Sequence, residues 1–157
     1  FAVTDSASLR RTMERCDNVV LFAATVGVEL DRLIARYGRV SPVKSLLFQA
    51  IGAERIEALC DAFNRDVDAE QAAAGKTATR RFSPGYGDLP LALQKDIFRV
   101  LDCPKRIGLT LNESLLMSPS KSVTALIGVS GSGETLSWGP AGCGSCGQKN
   151  CAFRRTV

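Results

Sequence analysis

The chain has 157 residues, 45% of them hydrophobic, and a formal net charge of +4, which gives one domain with enough apolar content for a core. Six cysteines are too few at this length for a secreted disulfide scaffold. The absence of histidine removes the commonest general base, the Ser-His and Cys-His nucleophile pairs and every His-containing zinc site.

Ser6 caps a predicted helix through Cys16, and Asn18 to Thr25 follows as a buried strand on the run Val19, Val20, Leu21, Phe22. Gly27 breaks the pattern. Leu30, Leu33, Ile34 and Tyr37 recur at helical spacing, and Gly38 is expected to close that helix. Ser41-Pro42 opens the next one, a cap followed by proline in the first turn. Ile56, Leu59, Cys60, Phe63 and Val67 form one apolar stripe, which predicts a helix from about Ala53 to Ala74 ended by Gly75.

Thr77 to Phe82 reads as extended, and Ser83-Pro84-Gly85-Tyr86-Gly87 as a turn-rich loop. Leu91 to Leu101 reads as a helix with Leu93, Ile97, Val100 and Leu101 inward. Ile107 to Leu111 and Ser122 to Val129 are predicted strands, the second alternating through Val123, Ala125, Ile127 and Val129. Helices and strands mix without a strict βαβ rhythm, so the fold class is α+β. The division expected is a domain over 1–130 and a Gly/Ser/Cys-rich tail over 131–157.

Gly128 to Thr135 has the glycine spacing of a phosphate-binding loop, but Glu134 stands where that loop needs lysine and would repel phosphate. It reads as a linker. The arginine pairs at 10–11, 80–81 and 154–155 are scattered and not interleaved with aromatics, which argues against nucleic acid as a partner. The sequence opens on Phe1, shows no charged-then-apolar leader and has no apolar run long enough to span a bilayer. A cytoplasmic protein without a membrane partner is expected.

Two segments carry chemistry. In Arg81-Phe82-Ser83-Pro84-Gly85-Tyr86, the arginine offers a planar fork for a carboxylate, Gly85 lets backbone approach a ligand, and Tyr86 adds an aromatic face and a hydroxyl. A tight loop with a surface arginine explains the same residues. In Thr110-Leu111-Asn112-Glu113-Ser114, Glu113 could bring a carboxylate near a cationic ligand; a turn capped by Asn112 or Ser114 is the plainer account.

Arg81 to Tyr86, with Pro90, resembles the Arg-x-x-Pro-Gly-Tyr segment of the activation domain of cobalamin-dependent methionine synthase. The run Leu-Asn-Glu-Ser-Leu-Leu-Met-Ser-Pro at 111–119 is similar to that family's Leu-Thr-Glu-Ser-x-x-Met-x-Pro, and Ser122-Val123 also matches. Ala23, Thr25, Gly27, Glu29-Leu30, and then Glu54, Glu57 and Ala58, are similar more loosely, so that the resemblance covers roughly residues 19–129. It implies a C-shaped α+β domain around a twisted antiparallel sheet flanked by helices. It implies, too, an accessory domain, not catalytic alone, that binds S-adenosylmethionine for reductive remethylation of cobalamin. The cobalamin would be carried by a corrinoid methyltransferase or methionine synthase module, and a donor such as a flavodoxin would supply the electron. By the same resemblance Arg81 binds the methionine carboxylate, Gly85 and Tyr86 line the ligand, and Glu113 lies near it.

Cys143, Cys146 and Cys151 lie outside that resemblance. Cys-x₂-Cys followed by a third cysteine suits a zinc or iron–sulfur site, with Cys103 or another cysteine as fourth ligand; a tail of free or disulfide-bonded thiols is the alternative. A metal- or cluster-bearing redox module on the same fold, without S-adenosylmethionine, is thus the competing function.

Overall fold

The computed structural model describes residues 5–131. In chain order its elements are α1 (Ala7–Met13), β1 (Asn18–Thr25), α2 (Val28–Val40), α3 (Pro42–Ala73), β2 (Thr77–Ala78), a 3-10 turn at Leu91–Leu93 running into α4 (Gln94–Leu101), α5 (Cys103–Ile107), β3 (Thr110–Leu111), β4 (Met117–Ser118) and β5 (Ser122–Ser130). The fold is α+β, with every strand pair antiparallel.

Strand β5 is the middle of a three-stranded sheet in the order β1-β5-β2. Its register with β1 sets Leu21 opposite Leu126 and Phe22 opposite Ala125, and alternation sends these pairs to opposite faces. On one face Phe22, Ala125 and Ile127 meet Ile56, Cys60 and Val67 of α3, with the Phe22 and Phe63 rings 4.8 Å apart. On the other, Leu126 meets Leu89, Leu93 and Ile97, with Leu9, Met13 and Phe82 packed around them. Because both faces are covered, β5 is buried along nearly all its length.

Several expectations are corrected. Helix α1 stops at Met13, where the Cys16 N–H turns back to the Met13 carbonyl. Helix α2 runs through Gly38 to Val40 and ends because Ser41 is extended. Helix α3 begins at Pro42 and continues for 32 residues, since proline at the first position removes no helical hydrogen bond. Gly52, buried within it, admits Leu30 of α2: a Cβ there would stand 2.2 Å from Leu30 Cδ2. Leu59 and Val100, predicted inward, are exposed. Ile107 ends α5 rather than starting a strand, and β5 continues through Ser130 into the expected linker. Gly128 is a strand residue lying against Met13 and Cys16 of the α1 segment. Residues 132–157, and with them Cys143, Cys146 and Cys151, lie outside the described residues.

Candidate functional site

The residues of the Arg81–Tyr86 segment stand at an edge of the sheet. Phe82 and Leu126 exchange backbone hydrogen bonds of 2.8 and 2.9 Å. Beyond Phe82 the chain turns away at Ser83-Pro84, so the first stretch of β5, from Ser122 to Thr124, loses its neighbour on that side. An open cleft of about 300 Å³ fills the gap, lined by Glu57 and Arg81, by Phe82 to Pro84 and Tyr86, by Gln94 and Met117, and by Ser122 to Thr124. That volume is at the small end of ligand sites.

Arg81 is fixed from both ends. Its N–H donates to Asn64 Oδ1 at 2.8 Å, while Asn64 Nδ2 donates to the Thr79 carbonyl at 3.3 Å; a buried amide on α3 thereby holds the strand-to-loop segment. The guanidinium donates from Nη2 to Glu57 at 2.6 Å and from Nη1 to Asp61 at 2.5 Å. Burial opposes the arginine's charge, but the hydrogen bonds to Asp61 and Glu57 outweigh it and raise the pKa above its ordinary value. The Arg81 hydrogen bond and then its charge hold the Asp61 carboxyl below its usual range. Beneath this pair Cys60 is fully buried, and burial raises its thiol pKa.

The loop geometry follows from its glycines. Gly85 has φ +89°, in the region that favours glycine, and its N–H donates to the Leu89 carbonyl at 2.9 Å. A Cβ at Gly85 would also lie 3.1 Å from Leu91 Cδ1. The Tyr86 N–H donates to the Ser83 carbonyl at 3.1 Å, which turns the tyrosine outward to the cleft mouth, 70% exposed.

Two polar atoms are left without partners among the described residues: Gln94 Oε1 and Thr124 Oγ1, both buried and both on cleft-lining residues. Burying such a group unpaired costs about 1–3 kcal/mol, so each has room for a further hydrogen-bonding partner, whether water or a ligand group. Ser122, also on the lining, is satisfied by the Pro119 carbonyl at 2.7 Å and by Thr25 Oγ1 at 2.9 Å.

Of the residues singled out by sequence, Arg81 and Tyr86 meet in this cleft, and Gly85 shapes the loop between them. Glu113 stands exposed in the β3–β4 turn and is not among the lining residues; Met117 of the same hairpin is. The turn there is the one an Asn112 cap makes, with Asn112 Oδ1 accepting the Leu116 N–H at 2.9 Å. Cys103 is 1% exposed and packs with Phe98 and Leu109; among the described residues no group of three or more His, Cys, Asp or Glu is placed to hold a metal. Asn64, Gln94 and Thr124 were missed as site residues. The available signals were a glutamine on the inward side of α4 and Leu126, whose burial shows that the second face of β5 is also covered.

This is an α+β domain with a polar, ligand-sized cleft at a sheet edge. The family model described as vitamin B12 dependent methionine synthase, activation domain, matches residues 5–137, and the chain belongs to that family. Among solved structures, the MetH reactivation domain bound to AdoHcy shares the fold with a TM-score of 0.61 at 22% identity, over 70% of this chain and 38% of that one. This chain therefore spans less than two fifths of that chain's length. No curated protein matches it. Among the described residues no helix is long and apolar enough to cross a membrane.

Proposed function

We propose that the cleft binds S-adenosylmethionine and that the domain presents it to a cobalamin held by a partner corrinoid module, supporting reductive remethylation. The observation that carries the reading is the pair of unpartnered atoms, Gln94 Oε1 and Thr124 Oγ1, in a cleft bounded by the Arg81–Tyr86 segment of this family's chain. The AdoHcy bound to the related MetH domain supports the same ligand class here.

The residues fit such a guest. An adenine or ribose supplies the donors and acceptors that Gln94 and Thr124 lack, and Tyr86 offers a ring face at the mouth. Arg81, Glu57 and Asp61 together carry a net charge of −1, which favours a ligand bearing an ammonium and a sulfonium. The ligand's carboxylate reaches Arg81 by exchanging with Asp61, whose side chain is 57% exposed; one carboxylate then replaces another on the same guanidinium edge. S-adenosylmethionine supplies the methyl group. The chain's own residues bind and orient it, and with no histidine in the sequence no imidazole from this chain ligates the cobalt.

The test is reconstitution under anaerobic conditions with a cob(II)alamin-loaded corrinoid protein, an electron donor such as a flavodoxin and S-adenosylmethionine. Methylcobalamin should accumulate only when the chain is present, and less with Arg81→Ala. Equal accumulation without the chain would overturn the proposal.

A further inference from the structure

Helices α2 and α3 form an antiparallel hairpin whose seam is built from Ser45, Phe48 and Gly52: Ser45 Oγ donates to the Ile34 carbonyl at 3.1 Å, the Phe48 and Tyr37 rings lie 5.4 Å apart, and Gly52 receives Leu30. At 100° per residue the opposite side of α3 carries Val43, Leu46, Leu47 and Ile51. These are 69%, 69%, 55% and 51% exposed, and Val40 at the hairpin turn is 77% exposed. The first turns of α3 are thus apolar on both sides, and one side faces water. Contiguous apolar surface of this extent marks an interaction site rather than ordinary scatter.

The charges around the patch are divided by end. From residue 32 to residue 53 the sequence has Arg32, Arg36, Arg39 and Lys44 and no carboxylate. Arg36 and Lys44 both lie over the Tyr37 ring, at 5.9 and 5.3 Å, beside the hairpin turn. From Glu54 the same outer side of α3 carries carboxylates, Glu54 and then Glu57 and Asp61, the last two paired with Arg81 and followed one turn on by Arg65. An apolar centre with a basic end and an acidic end complements itself when turned through 180°, as an isologous interface requires.

We infer that the outer face of α3, centred on Leu47, is a self-association surface on which a second copy of this chain docks antiparallel. A two-fold axis at Leu47 brings Leu47 against its own counterpart and Val43 against Ile51. It also sets the basic hairpin turn around Arg39 beside Glu54 of the other copy. An anionic membrane or a uniformly acidic protein would meet Glu54, and beyond it the net negative Glu57–Arg81–Asp61 cluster, at one end of the patch, which makes both poorer occupants. The inference does not depend on what fills the cleft.

Sedimentation of the full chain across a concentration series tests it. Wild type should pass from monomer to dimer, and Leu47→Glu should weaken dimerisation at least about tenfold while circular dichroism stays unchanged, since Leu47 is already half exposed. Arg39→Glu and Glu54→Arg should each weaken the dimer, and the double exchange should recover it. A wild type that stays monomeric throughout, a Leu47→Glu variant that dimerises as well as wild type, or flotation with anionic vesicles in place of dimerisation would each overturn the proposal.

Discussion

The Asp88 carboxylate closes over the start of α1 by accepting the Ser6 hydroxyl at 2.6 Å, with the Ala7 N–H at 2.7 Å on its other oxygen. Ser8 N–H joins them at 3.2 Å, and Ser6 Oγ in turn accepts the Leu9 N–H at 3.0 Å. The loop that carries Gly85 and Tyr86 is thereby tied to a helix whose Leu9 and Met13 pack into the core beneath it. The Ser6 hydroxyl first, and then the Ser8 and Ala7 donors, hold the Asp88 carboxyl well below the usual carboxylate range. A carboxyl lowered on folding stabilises the native state above its unfolded pKa of about 3.9, and that stability is lost as pH falls toward the folded value. Asp88→Asn should therefore flatten the acid limb of the stability curve between about pH 2 and pH 4, as read by urea denaturation. An acid limb as steep as wild type's would contradict the assignment.

Gly128 gives a second prediction. A Cβ there would lie 2.4 Å from Cys16 Sγ, 2.6 Å from Met13 Sδ and 3.3 Å from Cys16 Cβ. Gly128→Val should push the α1 segment off β5 and cost about 1–3 kcal/mol. Denaturant unfolding beside wild type measures the loss, and equal stability would contradict the close approach of α1 to β5.

Asn64 should matter to both stability and the cleft. Replacing it with leucine strands the Arg81 N–H and the Thr79 carbonyl, at about 1–3 kcal/mol for a buried group left unpaired. Denaturant unfolding should show the loss. Ligand titration should show weaker binding, because the backbone that carries Arg81 is no longer held.

Strands β1 and β5 were the most legible part of the fold. Val19 to Ala24 is an unbroken apolar run, and β5 alternates through residues that do face α3. Helix α3 was half legible: its stripe from Ile56 to Val67 is visible, but Gly52 looks like a separator until Leu30 is seen to need its space. Only one face of β5 was read as buried, so Thr124 carried no weight, although Leu126 beside it is as apolar as its neighbours. The Arg81–Tyr86 loop was readable because its glycines and proline constrain backbone locally. Gln94 was not: an amide on a helix acquires meaning only when the fold closes over it and leaves its oxygen unpaired. The carboxylates that hold Arg81 come from 20 and 24 residues away, on an exposed face of α3 that nothing local links to the loop.

Arg81→Lys should separate charge from geometry in the cleft. Lysine keeps the charge but cannot serve Glu57 and Asp61 from a planar fork, so ligand affinity should fall to a value between those of wild type and Arg81→Ala. Equal affinity for wild type and Arg81→Lys would show that only the charge matters.

The most direct test of the central claim is calorimetric titration of the full chain with S-adenosylmethionine, beside Arg81→Ala and the double change Gln94→Leu with Thr124→Val. Saturable one-to-one binding is predicted for wild type, with a loss of about 1.5–3 kcal/mol in Arg81→Ala, as for a hydrogen bond to a charged group. The double change should weaken binding too, because it removes the two polar groups that the ligand is proposed to satisfy. No binding by wild type, or the same Kd in all three proteins, would contradict the account.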